Sequence, residues 1–120
     1  MAESQSTKSL NPQPSHLITI GHLTIDLLAR RAILDNQPIH LALREFEFLA
    51  YLARHAGRAV SFEELWREVW RCQSLIDENN DSIKGCVRRL REEIEPDSAC
   101  PRYVITSRGY GYMMPAQVDD

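Results

Sequence analysis

The stretch TSRGYGYMM, residues 106–114, decides the fold of this 120-residue chain. Two glycines flank one tyrosine, Arg108 precedes them, and the β-prone run Tyr103-Val104-Ile105 stands just upstream. Glycine adopts backbone angles that other residues resist, so the pattern predicts a tight hairpin with Arg108 at its bend. A phosphate-binding loop is the alternative. Such a loop leads from a strand into a helix, whereas this stretch leads back into apolar residues near the end of the chain.

The segment before the hairpin has the periodicity of a helix, from about Asp81 to Glu95, and Pro96 ends it. One stripe of this helix is apolar and the surface beside it is basic. Such a helix can pack on its domain by one side and meet phosphates and base edges in a DNA major groove with the other. The apolar positions are Ile83, Val87, Leu90 and Ile94, and the basic ones are Lys84, Arg88, Arg89 and Arg91.

A solvated helix face is the competing interpretation of the same charges. Glu92, Glu93 and Glu95 stand at helical spacing from the arginines and could pair with them. The hairpin favours the DNA interpretation, because Arg108 at its tip has few local acids and a minor groove attracts an inserted arginine.

The remainder of the chain predicts two more helices and a small sheet. One helix runs from Leu43 to Ala56 and ends at Gly57, and the next begins at a capping box over Ser61–Glu64. Trp66 and Trp70 follow at helical spacing and are interpreted as core residues. Four short β-like runs precede the helices, at residues 17–20, 23–27, 31–34 and 39–41, with a turn at residues 35–38. The fold class is therefore α+β, with a four-stranded antiparallel meander, three helices and a C-terminal hairpin.

Composition limits the possible function classes. Residues 1–15 are rich in Ser, Gln and Pro and predict a disordered tail, residues 16–115 form one domain, and residues 116–120 form a short C-terminal tail. No apolar run approaches a membrane span and no secretory pattern is present, so a cytoplasmic protein is expected. Cys72, Cys86 and Cys100 form no CxxC pair and the four histidines lack ligand spacing, so no metal or cofactor is expected. The sequence shows no plausible nucleophile–base pair, so an enzyme is not expected.

Charge distribution is more informative than the formal net charge of -3, which by itself argues mildly against a nucleic-acid partner. Six basic and five acidic residues lie between Asn79 and Met113, giving that part +1, while the remainder carries -4. The polarity is weak, but its positive end coincides with the third helix and the hairpin.

Four motifs in the same order carry a resemblance to a known family. The chain resembles the winged-helix effector domain of the OmpR/PhoB response-regulator family, over roughly residues 17 to 115. Any one of the motifs would be a weak signal, but their order makes the set specific. They are LALREFEFL at residues 41–49, GRAVSFEELW at 57–66, VRRLR at 87–91 and ITSRGYGY at 105–112.

The resemblance implies a bacterial transcription regulator of a two-component system, built as a winged helix-turn-helix. Its recognition helix, about residues 81–95, would lie in the major groove, and its hairpin, the wing, would place Arg108 in the minor groove. The loop at residues 71–80 would face RNA polymerase, and a homodimer would form on double-stranded DNA. Carried over by position, the DNA-binding residues are Ser82, Lys84, Cys86, Arg88, Arg89 and Arg91 on the helix, and Thr106, Arg108 and Tyr112 on the wing.

Several positions depart from the family pattern. Ala42 stands where a capping Thr is usual, Cys86 replaces a common histidine, and Met113 replaces a basic residue after the wing tyrosine. Asp81, Glu92 and Glu93 stand at or near positions that are often basic. These changes weaken the phosphate contacts that supply much of the affinity of DNA binding. They favour, as an alternative function, a winged-helix module that binds RNA polymerase or another regulator without strong DNA binding.

The receiver domain usual in the family would need about 120 further residues by its domain size. Two explanations stay open: an effector domain separated from its receiver, or a free-standing effector domain.

Overall fold

A computed structural model describes residues 15–72 and 79–118 of the chain. The predicted N-terminal tail lies, except for Ser15, outside the described residues, as do residues 73–78 of the predicted polymerase-facing loop and residues 119–120 of the C-terminal tail. The described part has the predicted α+β fold, with a four-stranded sheet, three helices and a C-terminal hairpin.

The N-terminal sheet is an antiparallel meander in the order β1-β2-β3-β4. Its strands are β1 Leu17–Ile20, β2 Leu23–Asp26, β3 Arg31–Leu34 and β4 Gln37–Ile39. The fourth strand begins two residues earlier than the sequence predicted. Asp35 and Asn36 both adopt positive φ, 51° and 66°, which makes a two-residue turn and brings Gln37 opposite Leu34. That backbone matches the twist of a hairpin, and Asp and Asn tolerate it better than most residues.

Helix α1 spans Leu43–Arg54 and supplies the centre of the core, with Phe48, Leu49 and Leu52 almost fully buried. Its N-cap residue is Ala42, whose methyl group cannot accept a hydrogen bond. Only the Glu45 carboxylate therefore closes the first turn, by accepting the Ala42 backbone N–H at 3.0 Å. The helix ends two residues before the predicted Ala56. Gly57 then adopts φ +90° and donates its backbone N–H to the carbonyl oxygen of Met114.

The second helix begins where the sequence predicts but is not a regular α-helix throughout. Helix α2 covers Phe62–Leu65 and continues as a π-helical turn over Trp66–Trp70. Ser61 caps it as predicted, accepting the Glu64 backbone N–H at 3.0 Å, but the Glu64 carboxylate binds Arg58 and Tyr51 instead of turning back to Ser61. Trp66 is buried and Trp70 is partly buried against the core.

Trp66 also joins the two sides of the α2–α3 connection. Its carbonyl oxygen accepts the Cys72 backbone N–H at 3.0 Å, and its indole N–H donates to the Asn80 Oδ1 atom at 2.7 Å. Asn80 stands immediately before helix α3, which spans Asp81–Ile94. One residue, through its backbone carbonyl and its indole, therefore holds both ends of the α2–α3 connection.

The C-terminal hairpin is part of a three-stranded sheet that the sequence did not predict. Its two strands are β6 Ile105–Ser107 and β7 Gly111–Met113, and the two-residue strand β5 Val60–Ser61 pairs with the outer edge of β7. Gly111 is required at this junction, because a Cβ atom there would lie 1.9 Å from the Val60 carbonyl oxygen. The wing is thus attached to the start of α2.

A single core fills the space between the N-terminal sheet, the helices and the wing. Its members include Leu23 and Ile25 from the sheet, Val87 and Leu90 from α3, and Met114 after the wing. Val118 also packs on this core and lies beside Gly21, so ordered packing extends past residue 115. Within residues 15–72 and 79–118, no helix is both long and apolar enough to cross a membrane.

Candidate nucleic-acid interface

The exposed side of α3 carries two basic residues one turn apart. Lys84 and Arg88 are both exposed, and neither has an acidic side chain within ion-pair distance in the described part of the chain. Ser82, nearer the start of the helix, is exposed as well. The opposite side holds the predicted apolar stripe, which is buried at Ile83, Val87, Leu90 and Ile94. The helix therefore exposes Lys84 and Arg88 and buries its apolar side, as the spacing predicted.

Arg89 lies on the side of α3 that faces α1. Its Nε atom is 3.3 Å from the Glu45 Oε2 atom, and the same carboxylate caps α1. The Glu45 side chain is 10% exposed and the Arg89 side chain 57% exposed, so the pair lies at the surface edge of the helix contact. Much of the Arg89 charge is therefore compensated within the domain.

Arg91 points at the wing and binds it. Its guanidinium donates to the Val104 carbonyl oxygen, with distances of 3.1 Å and 2.7 Å from Nε and Nη2, and to the Thr106 hydroxyl at 2.9 Å. It also lies over the Tyr112 ring, 5.9 Å from the centroid. Three of the predicted DNA-binding residues, Arg91, Thr106 and Tyr112, are thus brought together in one contact that fixes the wing on α3.

Tyr112 is 5% exposed, and its ring forms edge-to-face contacts with Phe48 and Phe62. Burial raises the pKa of its hydroxyl, partly offset by the Arg91 guanidinium. The ring therefore belongs to the core under the wing and supports the hairpin from below.

The position of Cys86 corrects one expectation about the recognition helix. The residue is 1% exposed and faces the core between the Ile83 and Leu90 turns, so its thiol cannot reach a groove. Burial raises the pKa of this thiol to about 11, and the nearby Glu45 carboxylate adds to the effect. Cys86 lies beside Val87 on the buried stripe, whereas the DNA-binding role had been carried over to it by position from the family resemblance.

Arg108 lies where the sequence predicted it, at the bend of the wing. The bend consists of Arg108, Gly109 and Tyr110, with Gly109 at φ +72° and the Tyr110 backbone N–H donating to the Ser107 carbonyl oxygen. Arg108 is exposed, and no acidic partner for it is present among residues 15–72 and 79–118. It is thus an exposed cation at the bend of the hairpin, unpaired with any acid in the described part of the chain.

A groove of about 320 Å³ separates α3 from the wing and the loop before it. Basic side chains of the helix line it together with Glu92, Ser98 and Tyr112. The full lining is Lys84, Val87, Arg88, Arg91, Glu92, Ser98 and Tyr112.

A buried carboxylate orients the chain that enters the wing, and the sequence interpretation missed it. Glu95 is 8% exposed and accepts backbone N–H groups from Arg102, Tyr103 and Val104 at 2.7 to 3.1 Å. The competing interpretation, in which Glu95 pairs with helix arginines, does not apply for this reason, and no described arginine of α3 pairs with Glu92 or Glu93 either. A single glutamate between a helix end and a proline gave no signal by which to find this contact.

No group of three or more His, Cys, Asp or Glu side chains in the described residues could hold a metal ion.

Comparison with known proteins was consistent with this arrangement. The family model described as "Transcriptional regulatory protein, C terminal" matches residues 36–114. Among solved structures, the response regulator DrrB of Thermotoga maritima, described as an OmpR/PhoB homolog, is 31% identical with a TM-score of 0.76. The match covers 93% of this chain and 50% of DrrB, so the chain spans about half the length of that relative.

Two excised domains give similar values. The RstA DNA-binding domain of Klebsiella pneumoniae, solved in complex with the RstA box, is 27% identical with a TM-score of 0.76, over 84% of this chain and 98% of that one. The CpxR DNA-binding domain of E. coli is 27% identical with a TM-score of 0.71, over 89% and 100%. Since the family model covers more than half of the sequence, the chain belongs to the family of transcriptional regulatory protein C-terminal domains, with the winged-helix fold of the OmpR/PhoB type.

Proposed function

We propose that this chain is a sequence-specific, double-stranded DNA-binding domain of a transcription regulator. Helix α3 lies in the major groove with Lys84 and Arg88 toward the DNA, and the wing carries Arg108 into the adjacent minor groove. Ser82 lies near the phosphates at the start of the helix. Four other predicted residues stabilise this surface and have their polar groups at its edge. They are Arg89, Arg91, Thr106 and Tyr112.

One observation carries the proposal. The three cations Lys84, Arg88 and Arg108 lack acidic partners in the described part of the chain, whereas Arg89 beside them is paired with Glu45. Exposed cations without partners on a helix and on a hairpin tip match the two grooves of B-DNA, because the major groove admits a helix and the negative minor groove attracts arginine. The RstA domain, at 27% identity, was solved on its DNA site, which supports the same docking here.

Fluorescence anisotropy with a labelled duplex, over a range of salt concentrations, tests this function. Three phosphate-neutralising cations predict that the logarithm of the affinity falls with the logarithm of salt with a slope of about −3. Lys84→Ala and Arg108→Ala should each reduce that slope by about 1. Arg88→Ala should in addition change the base preference in a selection from random duplexes, because a major-groove arginine reads guanine edges.

Arg31→Ala is the matched control, because Arg31 is an exposed cation on β3 of the N-terminal sheet. Its affinity and salt slope should equal those of the wild type. Absence of wild-type binding at low salt, or equal losses from Arg31→Ala and Arg108→Ala, would refute the proposed docking.

A protein-interaction module is the second candidate, and the exposed acids of α3 favour it. Glu92 and Glu93 are both exposed on the helix that would enter the groove, and the whole chain carries a net charge of -3. The partner is then RNA polymerase, bound at residues 71–80, or another regulator. A homodimer on DNA belongs instead to the first candidate function, the DNA-binding domain. A wild-type protein that binds polymerase but shows no salt-dependent affinity for duplex DNA would decide for the module.

A further inference from the structure

The wing tip carries a second side chain that the basic pattern does not explain. Tyr110 is 51% exposed, whereas Tyr103 and Tyr112, its neighbours in sequence, are 3% and 5% exposed. Its ring has no aromatic, cationic or hydrogen-bonding partner among the residues that the structure describes. An aromatic ring of this size is usually buried in a fold or in an interface, because burying it removes a large apolar area from water.

The backbone of Tyr110 is fixed on both sides although its ring is free. Its N–H donates to the Ser107 carbonyl oxygen at 2.9 Å, and its carbonyl oxygen accepts the Phe62 N–H at 2.9 Å. The next residue, Gly111, is packed against Val60 with no room for a Cβ atom. The ring is therefore presented from a rigid support, which reduces the entropy lost when it is immobilised by a partner.

Tyr110 and Arg108 are separated only by Gly109, whose Cβ position meets no atom within 4 Å. Both side chains thus leave the same open bend. A tyrosine at such a place offers an apolar ring and a hydroxyl group that can donate to phosphate oxygens, which are the commonest hydrogen-bond acceptors in DNA complexes.

We infer that Tyr110 is a further DNA-binding residue of the wing. Its ring packs on the deoxyribose wall of the minor groove that Arg108 enters, and its hydroxyl donates to a flanking phosphate. The inference rests on the proposed function and deepens it, because it adds a neutral contact whose strength depends on groove width. A narrow A-tract groove brings its two walls close to one inserted tip, and a wide groove does not.

Anisotropy with an A-tract duplex and a G·C-rich duplex of equal length tests the inference. Tyr110→Phe removes only the hydroxyl and should weaken A-tract binding about fivefold, the effect of one net hydrogen bond. Tyr110→Ala also removes the ring and should weaken it about tenfold or more. Both losses should be smaller on the G·C-rich duplex. The salt slope should stay at the wild-type value, because no cation is removed, whereas Arg108→Ala lowers it by about 1.

Leu28→Ala is the matched control for loss of an exposed apolar side chain, because Leu28 is 77% exposed in the β2–β3 turn. Thermal unfolding of both alanine variants should stay close to the wild type, since both side chains are exposed. Tyr110→Ala binding within about twofold of the wild type on the A-tract duplex, with wild-type binding intact, would overturn the inference alone. A wild type without any affinity for duplex DNA would overturn the proposed function and this inference together.

Discussion

The Arg91 guanidinium donates two hydrogen bonds to the carbonyl oxygen of Val104, from Nε at 3.1 Å and Nη2 at 2.7 Å. Arg91 belongs to α3 and Val104 to the chain entering the wing, so this contact sets the distance between the helix and the hairpin. The Glu95 carboxylate holds the same residue by accepting the Val104 backbone N–H at 2.8 Å. The backbone carbonyl and the backbone N–H of Val104 are thereby both bound to side chains at the end of α3.

Replacing Arg91 should destabilise the protein as well as its binding surface. Arg91→Ala leaves the Val104 carbonyl and the Thr106 hydroxyl without their donor, and we expect a loss of about 2 kcal/mol in the free energy of unfolding. Arg88→Ala, one turn away, removes an exposed side chain and should change it by less than about 0.5 kcal/mol. Urea unfolding monitored by tryptophan fluorescence measures both variants. Equal stability of the two would show that the contact with Val104 contributes nothing.

Completing the cap of α1 should stabilise the fold. Ala42 already has extended backbone angles, φ −65° and ψ 157°, which are those of an N-cap residue. Ala42→Thr adds an oxygen that can accept the backbone N–H of Glu45, and we expect a gain of about 1 kcal/mol. Ala116→Thr, at an exposed position near the C-terminus, is the control and should change little. A thermal midpoint for Ala42→Thr at or below that of the wild type contradicts the prediction.

The two wing glycines should respond differently to the same substitution. Gly111→Ala places a methyl group 1.9 Å from the Val60 carbonyl oxygen, so β5 and β7 must separate, and we expect a loss of about 3 kcal/mol. Gly109→Ala meets no neighbouring atom and only strains a residue at φ +72°, which costs about 1 kcal/mol. Urea unfolding of the pair gives the comparison. A larger loss from Gly109→Ala would place the constraint at the bend and not at the sheet.

An ion pair near the start of α2 should make stability depend on pH. Arg58 donates to the Glu64 carboxylate at 2.9 and 3.0 Å and holds the pKa of Glu64 at about 2, below its usual 4.5. The stabilisation is therefore present above about pH 5 and is lost as the pH falls toward 2. Solvent around the half-exposed Arg58 side chain screens the pair, so the effect on stability is small.

Glu64→Gln should be less stable than the wild type at neutral pH, and the difference should disappear as the pH approaches 2. Urea unfolding midpoints across that interval measure it. Glu63→Gln at the neighbouring exposed position is the control. A stability difference between Glu64→Gln and the wild type that stays constant with pH would exclude the linkage.

The strongly periodic parts of the fold could be predicted from the sequence. Alternation and turn residues located the four N-terminal strands, and the apolar spacing of α3 identified its buried stripe from Ile83 to Ile94. Short elements were harder to find. The strand Val60–Ser61 has no pattern of its own and exists because β7 offers it an edge, while the π-helical turn reflects packing of Trp66 and Trp70.

The exposure of the basic residues at the candidate site could be predicted from the sequence, whereas their partners could not. Lys84, Arg88 and Arg108 are exposed and without acidic partners in the described segments, in agreement with the charge pattern. Arg89 and Arg91 are basic residues of the same helix, yet Glu45 and Val104 bind them from distant parts of the chain. Only tertiary structure brings such partners together, so helical periodicity alone cannot separate a paired arginine from a free one.

The hydrogen bonds of Trp66 separate the position of α3 from the length of the α2–α3 connection. Because Cys72 and Asn80 are both bonded to this one residue, the two points where the α2–α3 connection leaves and rejoins the fold are fixed independently of what lies between them. Closure entropy rises by only about 0.6 kcal/mol for each doubling of loop length. A change in the number of residues between these points therefore costs little closure entropy, while Trp66 keeps its hold on the start of α3.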